Sequence, residues 1–336
     1  MKWTGSYDKC HIDHIDKKRW LFAMYTICFG IMVMLVFGRF LYYGKSFVGG
    51  ADGLSQVAPT MQYTGQYYRA LLKNILQGNL QIPMWDMSIG FGMNILQVIS
   101  FDPVYILCSV LFVHDIAVGI AIFDMLCLYL AGIMFIALCY NLGCNRYAAL
   151  AAALAYIFNG YILNYCMAQN SFLRLFIVLP MILLGVYNVT KKNRYGIFVL
   201  AVLYNITLGP LNIYTIGIVL IFCFCMAYIF SDRKKGVADF FSYIWKPVLI
   251  YILEMLVMAV FLIPTMYKVV SGGRIGNASI NFQWLYDVSY YRSLFHGLVG
   301  VDEIGIHGYI GVTTIAILAV AVSYTHLRAH ETRSNL

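Results

Sequence analysis

The sequence predicts an all-α, polytopic bundle of transmembrane helices. Three observations carry that expectation. Hydrophobic residues make up 61% of the 336-residue chain and charged residues only 11%, against roughly 25% charged in a soluble domain. Apolar runs approach the ~20 residues that one bilayer crossing needs, and they recur along the chain. Lys and Arg, finally, gather in clusters between those runs. The same composition excludes a disordered chain, a collagen-like repeat and a small disulfide scaffold. The formal net charge of +8 marks sidedness and points to no nucleic-acid partner. Cys28, Cys108, Cys127, Cys139, Cys166, Cys223 and Cys225 sit in apolar runs without a CxxC pair, so they are expected as small buried hydrophobes.

Taken in order, the predicted spans are residues 20–43, 116–140, 147–168, 172–189, 195–208, 211–230 and 247–269. The first is too long for a cleavable signal and is expected to remain as a helix. Gly209-Pro210 separates the fifth and sixth as the turn of a tight hairpin. Lys17, Lys18 and Arg19 precede the first span, Arg146 follows the second, Lys191, Lys192 and Arg194 the fourth, and Arg233, Lys234 and Lys235 the sixth. All fall on one face if the shorter run at 105–113 does not cross, so that run is expected to be juxtamembrane or re-entrant. The chain is therefore expected in the cell membrane, multi-pass, with a cytoplasmic N-terminus over residues 1–19 and the membrane domain over 20–322.

The last apolar run, 309–322, falls short of a crossing before the sequence turns polar at Ser323. Residues 323–336 are expected to be a non-native tail, and the natural chain to continue past Val322. His326 and His330 accordingly carry no functional expectation.

The long outer loop from Gly44 to about Asp115 concentrates the candidate chemistry. Asp52 follows the first helix almost at once, and Gln56 and Pro59 come next. Residues 63–76 predict an interfacial helix exposing Arg69 and Lys73. Trp85-Asp86 and a glycine-punctuated turn through Gly90 and Gly92 then supply a segment able to fold over the bundle. Each residue also has a plainer use: Asp52 as a turn or helix cap, Gln56 and Asp86 as fixtures of the loop. Inside the bilayer Asp124, Arg174 and Glu254 are costly to bury. Arg174 is expected to snorkel or meet a lipid phosphate, Asp124 to pair with it, and Glu254 to reach water or a partner.

His114, His296, His307, Asp302 and Glu303 lie in outer regions but form no helical ligand pair. No cofactor is called for, and a divalent metal stays open. Trp284 and Tyr286 are aromatic candidates for stacking on a sugar ring, and Asn277-Ala-Ser279 is a formal glycosylation sequon without further support.

At this point the sequence resembles a known family. The Gly49-Gly50-x-Asp52-x-x-x-Gln56-x-x-Pro59 stretch, the Trp85 and glycine turn, Asp102-Pro103, Asn159-Gly160-Tyr161 and Leu179-Pro-Met-Ile-Leu-Leu-Gly185 are similar to the bacterial YfhO membrane proteins, in the wider class of GT-C-fold glycosyltransferases. The resemblance implies a GT-C-like bundle acting as a hexosyltransferase. It would move a sugar from a polyprenyl-phosphate carrier to an extracytoplasmic cell-envelope acceptor such as teichoic acid. It also implies that Asp52 is the catalytic base; Gln56, Trp85, Asp86, Arg69, Arg174 and Arg274 are the candidate substrate-binding residues beside it. A single carboxylate suits inverting displacement, whereas double displacement would need a second. Arg69, Lys73, Arg274 or Arg292 could supply the leaving phosphate with positive charge, and spacing does not choose among them. The competing readings are a transporter or flippase of a lipid-linked sugar, using the same polar residues as a path, and a non-catalytic envelope-assembly protein.

Overall fold

A computed structural model describes residues 5–49, 52–79, 81–208, 237–260, 262–264, 267 and 287–289. The described chain is predominantly helical, as long apolar runs in lipid require. Its helices are α1 (Gly5–Tyr42), α2 (Ala58–Leu76), α3 (Pro103–Leu111), α4 (Ile116–Asn141), α5 (Arg146–Ile157), α6 (Leu173–Lys192), α7 (Gly196–Ile206) and α8 (Val237–Val257). A two-stranded antiparallel ribbon, β1 (Trp85–Asp86) and β2 (Met93–Asn94), pairs Trp85 with Asn94 and Asp86 with Met93. Among the described residues three segments are long and apolar enough to span a bilayer: Arg19–Tyr42, Ile116–Asn141 and Asn170–Lys192. Met34, Leu35 and Leu41 of α1 are exposed, a cost in water that a lipid surround removes.

The chain divides into two compact units, each with its own packing. Of the described residues, the first holds 5–45, 132–163 and 289. Here α1 lies against the second half of α4 and α5. Gly132 receives the ring of the fully buried Tyr25, where any Cβ would collide with it. Phe135 stacks on Tyr156 at 4.5 Å between ring centres, and Arg146 lies 4.8 Å over Trp20. That cation–π contact sets Arg146, at the start of α5, over the Trp20 ring near the expected start of the first span.

The second unit holds the described residues between 46 and 131 and between 164 and 288. Its core joins α6, α7 and α8 through Val178, Ile182, Val186, Phe198, Val202 and Tyr251. Gly185 allows a close approach of α6 and α7: a Cβ there would stand 2.6 Å from the Phe198 Cα. Gly65 does the same between α2 and α3, where its missing side chain makes room for the Ser109 carbonyl. Buried Asn205 is satisfied by donating its side-chain amide to the Tyr251 hydroxyl at 3.1 Å.

Two expected spans take another form. Residues 147–168 are no continuous helix, because α5 ends at Ile157 and a separate wide turn covers Ile162–Cys166. Asn159 sits at the break. Its side-chain NH2 donates to the Tyr156 carbonyl at 2.8 Å, and its oxygen accepts the Ile162 N–H at 3.0 Å, so one side chain replaces the backbone partners of both ends. The helix expected to begin at Pro247 begins instead at Val237 and contains Pro247. The first helix ends as expected but starts at Gly5 instead of residue 20; the helix expected over 63–76 is α2, and the 105–113 run is α3. The Gly209-Pro210 hairpin turn, the 211–230 span, the 309–322 run and the 323–336 tail lie outside the described residues.

Candidate functional site

Four chain segments of the second unit converge on one cleft of about 260 Å³. Gln56, Val57 and Thr60 come from the turn opening α2, and residues 96–101 from the approach to α3. Gln169, Asn170, Ser171 and Arg174 come from the start of α6, and Ile206, Thr207 and Leu208 from the end of α7. Polar termini of helices thus meet at one place, as a binding site for a polar group requires.

Arg174 is the cation of this cleft, and its position follows from Asp102. The Asp102-Pro103 pair starts α3 by ordinary helix chemistry: Pro103 needs no N–H partner in the first turn, and the Asp102 carboxylate caps the next two donors. Its Oδ1 accepts from the N–H of Val104 at 2.8 Å and of Tyr105 at 3.1 Å. Its Oδ2 accepts the Tyr204 hydroxyl at 2.7 Å and faces the Arg174 Nη1 at 3.8 Å. Asp102 is completely buried, and the Arg174 side chain is 11% exposed. Nη1 also donates to the Ser100 hydroxyl at 3.3 Å, Nε to the Ser171 carbonyl at 3.4 Å, and the guanidinium lies 5.8 Å over the Tyr105 ring. A cation in the first turn of a helix opposes the helix dipole; the Asp102 carboxylate offsets that cost. The remaining Arg174 protons make no hydrogen bond among the described residues, and the residue lines the cleft.

These contacts correct the expected pairing. Arg174 neither snorkels nor pairs with Asp124: it folds inward onto Asp102. Asp124 is fully buried in α4 with no hydrogen bond to either carboxyl oxygen among the described residues. Glu254, 9% exposed in α8, is in the same condition and meets no hydrogen-bonding partner there.

The other candidates are scattered. Asp52 is exposed just before the turn Gly53–Val57, makes no cap of its own, and accepts the Gln56 side-chain amide at 2.8 Å. Gln56 lines the cleft, so Asp52 stands one hydrogen bond from it. Trp85 and Asp86 belong to the hairpin and do not line the cleft. Asp86 accepts from both the backbone and the hydroxyl of Ser88, at 2.8 and 2.7 Å, and takes the Tyr63 hydroxyl at 2.7 Å. The Ser88 hydroxyl and then Tyr63 hold the Asp86 carboxyl below the usual Asp range. Burial and the Asp86 bond push the Tyr63 phenol above its ordinary value, and burial raises Tyr68 to about 12.

Arg69 serves a helix end: Nε donates to the Val110 carbonyl at 2.8 Å, and Nη1 lies 3.3 Å from His114 Nε2. Lys73 is exposed in the last turn of α2. Arg274, Asn277, Trp284, Tyr286, Arg292, His296, Asp302, Glu303 and His307 lie outside the described residues. Among the described residues no three His, Cys, Asp or Glu side chains cluster as metal ligands. Asp102 itself carried no site expectation. Its signal was the Asp-Pro step, which marks a capped helix start and says nothing of what shares the carboxylate.

Apolar helices of spanning length, with a polar cleft where helix ends meet, define a membrane protein of the all-α class. The family model for the bacterial membrane protein YfhO matches residues 24–335. The chain belongs to that family. No curated protein and no solved structure matches it significantly.

Proposed function

We propose that the chain is a membrane glycosyltransferase that takes a sugar from a polyprenyl-phosphate carrier and passes it to an envelope acceptor on the outer face. The observation that carries this reading is the Arg174 guanidinium, fixed on three sides by Asp102, Ser100 and Ser171 and open to the cleft on the fourth. Such a preorganised cation suits a leaving phosphate, because it needs no rearrangement as charge develops there.

Asp52 is the base in this reading. An acceptor hydroxyl gives its proton to the Asp52 carboxylate while its oxygen attacks the anomeric carbon. The bond from that carbon to the phosphate oxygen breaks, and its electron pair leaves with the phosphate beside Arg174. One displacement inverts the anomeric configuration. Gln56 joins the two functions, since it lines the cleft and holds Asp52. Arg69 takes no part, being engaged at the end of α3. Trp85 and Asp86 shape the hairpin beside α2. The outer-face placement is supported by the basic clusters, among them Lys191 and Lys192 in the last turn of α6, at the end remote from Arg174.

The test is sugar transfer from a radiolabelled polyprenyl-phosphate sugar in membranes carrying the protein. Asp52→Asn keeps the Gln56 contact in reach but removes the base, so transfer falls by at least about 10²-fold at unchanged abundance. Transfer at the wild-type rate in that variant overturns the assignment.

A further inference from the structure

The hairpin that follows α2 has no chemical role in the scheme above, and its tip is apolar. Trp85, Met87 and Phe91 are exposed, Phe91 completely. Gly90, Phe91 and Gly92 run in succession through positive φ, at 54°, 64° and 113°. Glycine takes such a backbone freely, whereas a bulky side chain there is strained. Phe91 carries that cost, and its fully exposed ring gains no packing in return. Strain of this kind persists only where the surroundings offset it, and for Phe91 what offsets it must lie outside the chain.

The tip is built as one face. Side chains alternate along a strand, so Trp85 and Met87 share a side while Asp86 and Ser88 take the other. The Trp85 indole N–H donates to the Met87 sulfur at 3.1 Å. Both sit over Gly92, where a Cβ would come within 3.0 Å of that sulfur and of the indole nitrogen. On the other side the Asp86 carboxylate accepts from Ser88 and from Tyr63 of α2. Tyr67 of α2 donates to the Pro83 carbonyl at 3.1 Å, a second tie between helix and hairpin. Asp86 is the only charged residue from Asn74 to Phe101, and the alternation turns it away from the apolar face.

We infer that this tip inserts Trp85, Met87 and Phe91 into the interfacial layer of the bilayer, anchoring α2 and the adjoining cleft wall to lipid. The inference needs only that α4 spans the membrane, and it is independent of the glycosyltransferase reading. α2 lies level with the start of that span: the Met61 methyl is 3.6 Å from where a Gly119 Cβ would stand, in the first turn of α4. Arg69 of α2 donates to the Val110 carbonyl just ahead of it in the chain. The hairpin, tied to Tyr63 and Tyr67, thus stands at the membrane boundary. Tryptophan is favoured at that depth, and an element with one apolar and one polar face lies in the interface plane. A lid over the cleft is the other use of such a loop, but neither Trp85, Met87 nor Phe91 lines the cleft. Residues 96–101 do line it and follow directly from the ribbon, so the anchor sets the depth of that wall.

The experiment exchanges Phe91, Met87 or Ser88 singly for the photo-crosslinker p-benzoylphenylalanine in the full chain, in nanodiscs of phosphatidylethanolamine and phosphatidylglycerol. After irradiation, mass spectrometry identifies what each position has captured. Positions 91 and 87 capture phospholipid in several-fold higher yield than position 88. A yield at 91 no higher than at 88 overturns the inference, as do crosslinks from 91 into a remote part of the chain or a second copy in place of lipid. Tryptophan emission gives a second reading without the crosslinker. The Trp85 share, taken as the difference between wild type and Trp85→Phe, is lost when the lipids carry bromine near the headgroup end of their acyl chains, and it persists against aqueous iodide. Quenching by iodide and not by bromine overturns the inference even if the crosslinker disturbs the tip.

Discussion

Removing Asp102 tests how the site is held. In Asp102→Ala the N–H groups of Val104 and Tyr105 lose their cap, worth about 1 kcal/mol. The buried Tyr204 hydroxyl loses its acceptor, about 1–3 kcal/mol. Arg174 loses its counter-ion. Breaking a fully buried pair costs about 3–5 kcal/mol, and the lower end applies here because the charges stand 3.8 Å apart and the Arg174 side chain is 11% exposed. Together these make Asp102→Ala one of the most damaging single changes in the second unit, at about 4–6 kcal/mol after allowing for shared partners. Arg174→Gln in the same background restores part of the loss, because the stranded charge disappears; the coupling is about 1–2 kcal/mol. Thermal unfolding of the detergent-solubilised protein, followed by intrinsic fluorescence, measures the order of the midpoints. The surface change Asp86→Ala serves as reference. If Asp102→Ala unfolds alongside Asp86→Ala, or if the double variant is simply additive, the described site does not hold the fold together.

Two further outcomes follow from the same geometry. The Asp86 carboxyl titrates below its ordinary range in the folded chain, so its bonds to Ser88 and Tyr63 are at full strength above the unfolded Asp value and are lost as pH falls through the folded one. Amide exchange at Ser88 should therefore quicken, relative to the intrinsic rate, through that acidic window, and Asp86→Asn should flatten the dependence. A pH-independent wild-type ratio would contradict it. Sidedness is tested by single cysteines: one beside Asp86 should react with an impermeant reagent added outside intact cells, and one at Lys192 should not. The reverse pattern would move the proposed site to the cytoplasm.

The long helices were legible because a run of apolar side chains leaves little choice of structure in lipid. Thus α4 and α6 lie close to their expected bounds, as do the amphipathic α2 and the short α3, while α1 ends where expected but starts at Gly5, well before residue 20. The break at Asn159 was not legible from hydropathy. It depends on one side chain serving two backbone groups, a choice that a sliding window averages away. Arg174 was expected near a buried acid, and burial does require one. Which aspartate it meets depends on how α3, α4 and α6 pack, and local sequence holds no trace of that. The cleft illustrates the same limit. Gln56 and Arg174 were candidates separately, whereas Ser100, Asp102, Asn170 and Thr207 join them only because four helix ends converge. Conversely, Arg69 had the right charge, but α3 had already engaged it.

The central claim is that Arg174 receives the phosphate of a lipid-linked sugar. Equilibrium binding of polyprenyl monophosphate to wild type, Arg174→Lys and Arg174→Gln in nanodiscs tests it directly, with polyprenol as the uncharged reference. Loss of a charge-assisted bond is worth about 1.5–3 kcal/mol, so Arg174→Gln should weaken phosphate binding about tenfold or more and leave polyprenol binding unchanged. Arg174→Lys should fall between, since it keeps the charge but not the fork of donors. Wild-type affinity for the phosphate in a folded Arg174→Gln protein would contradict the account.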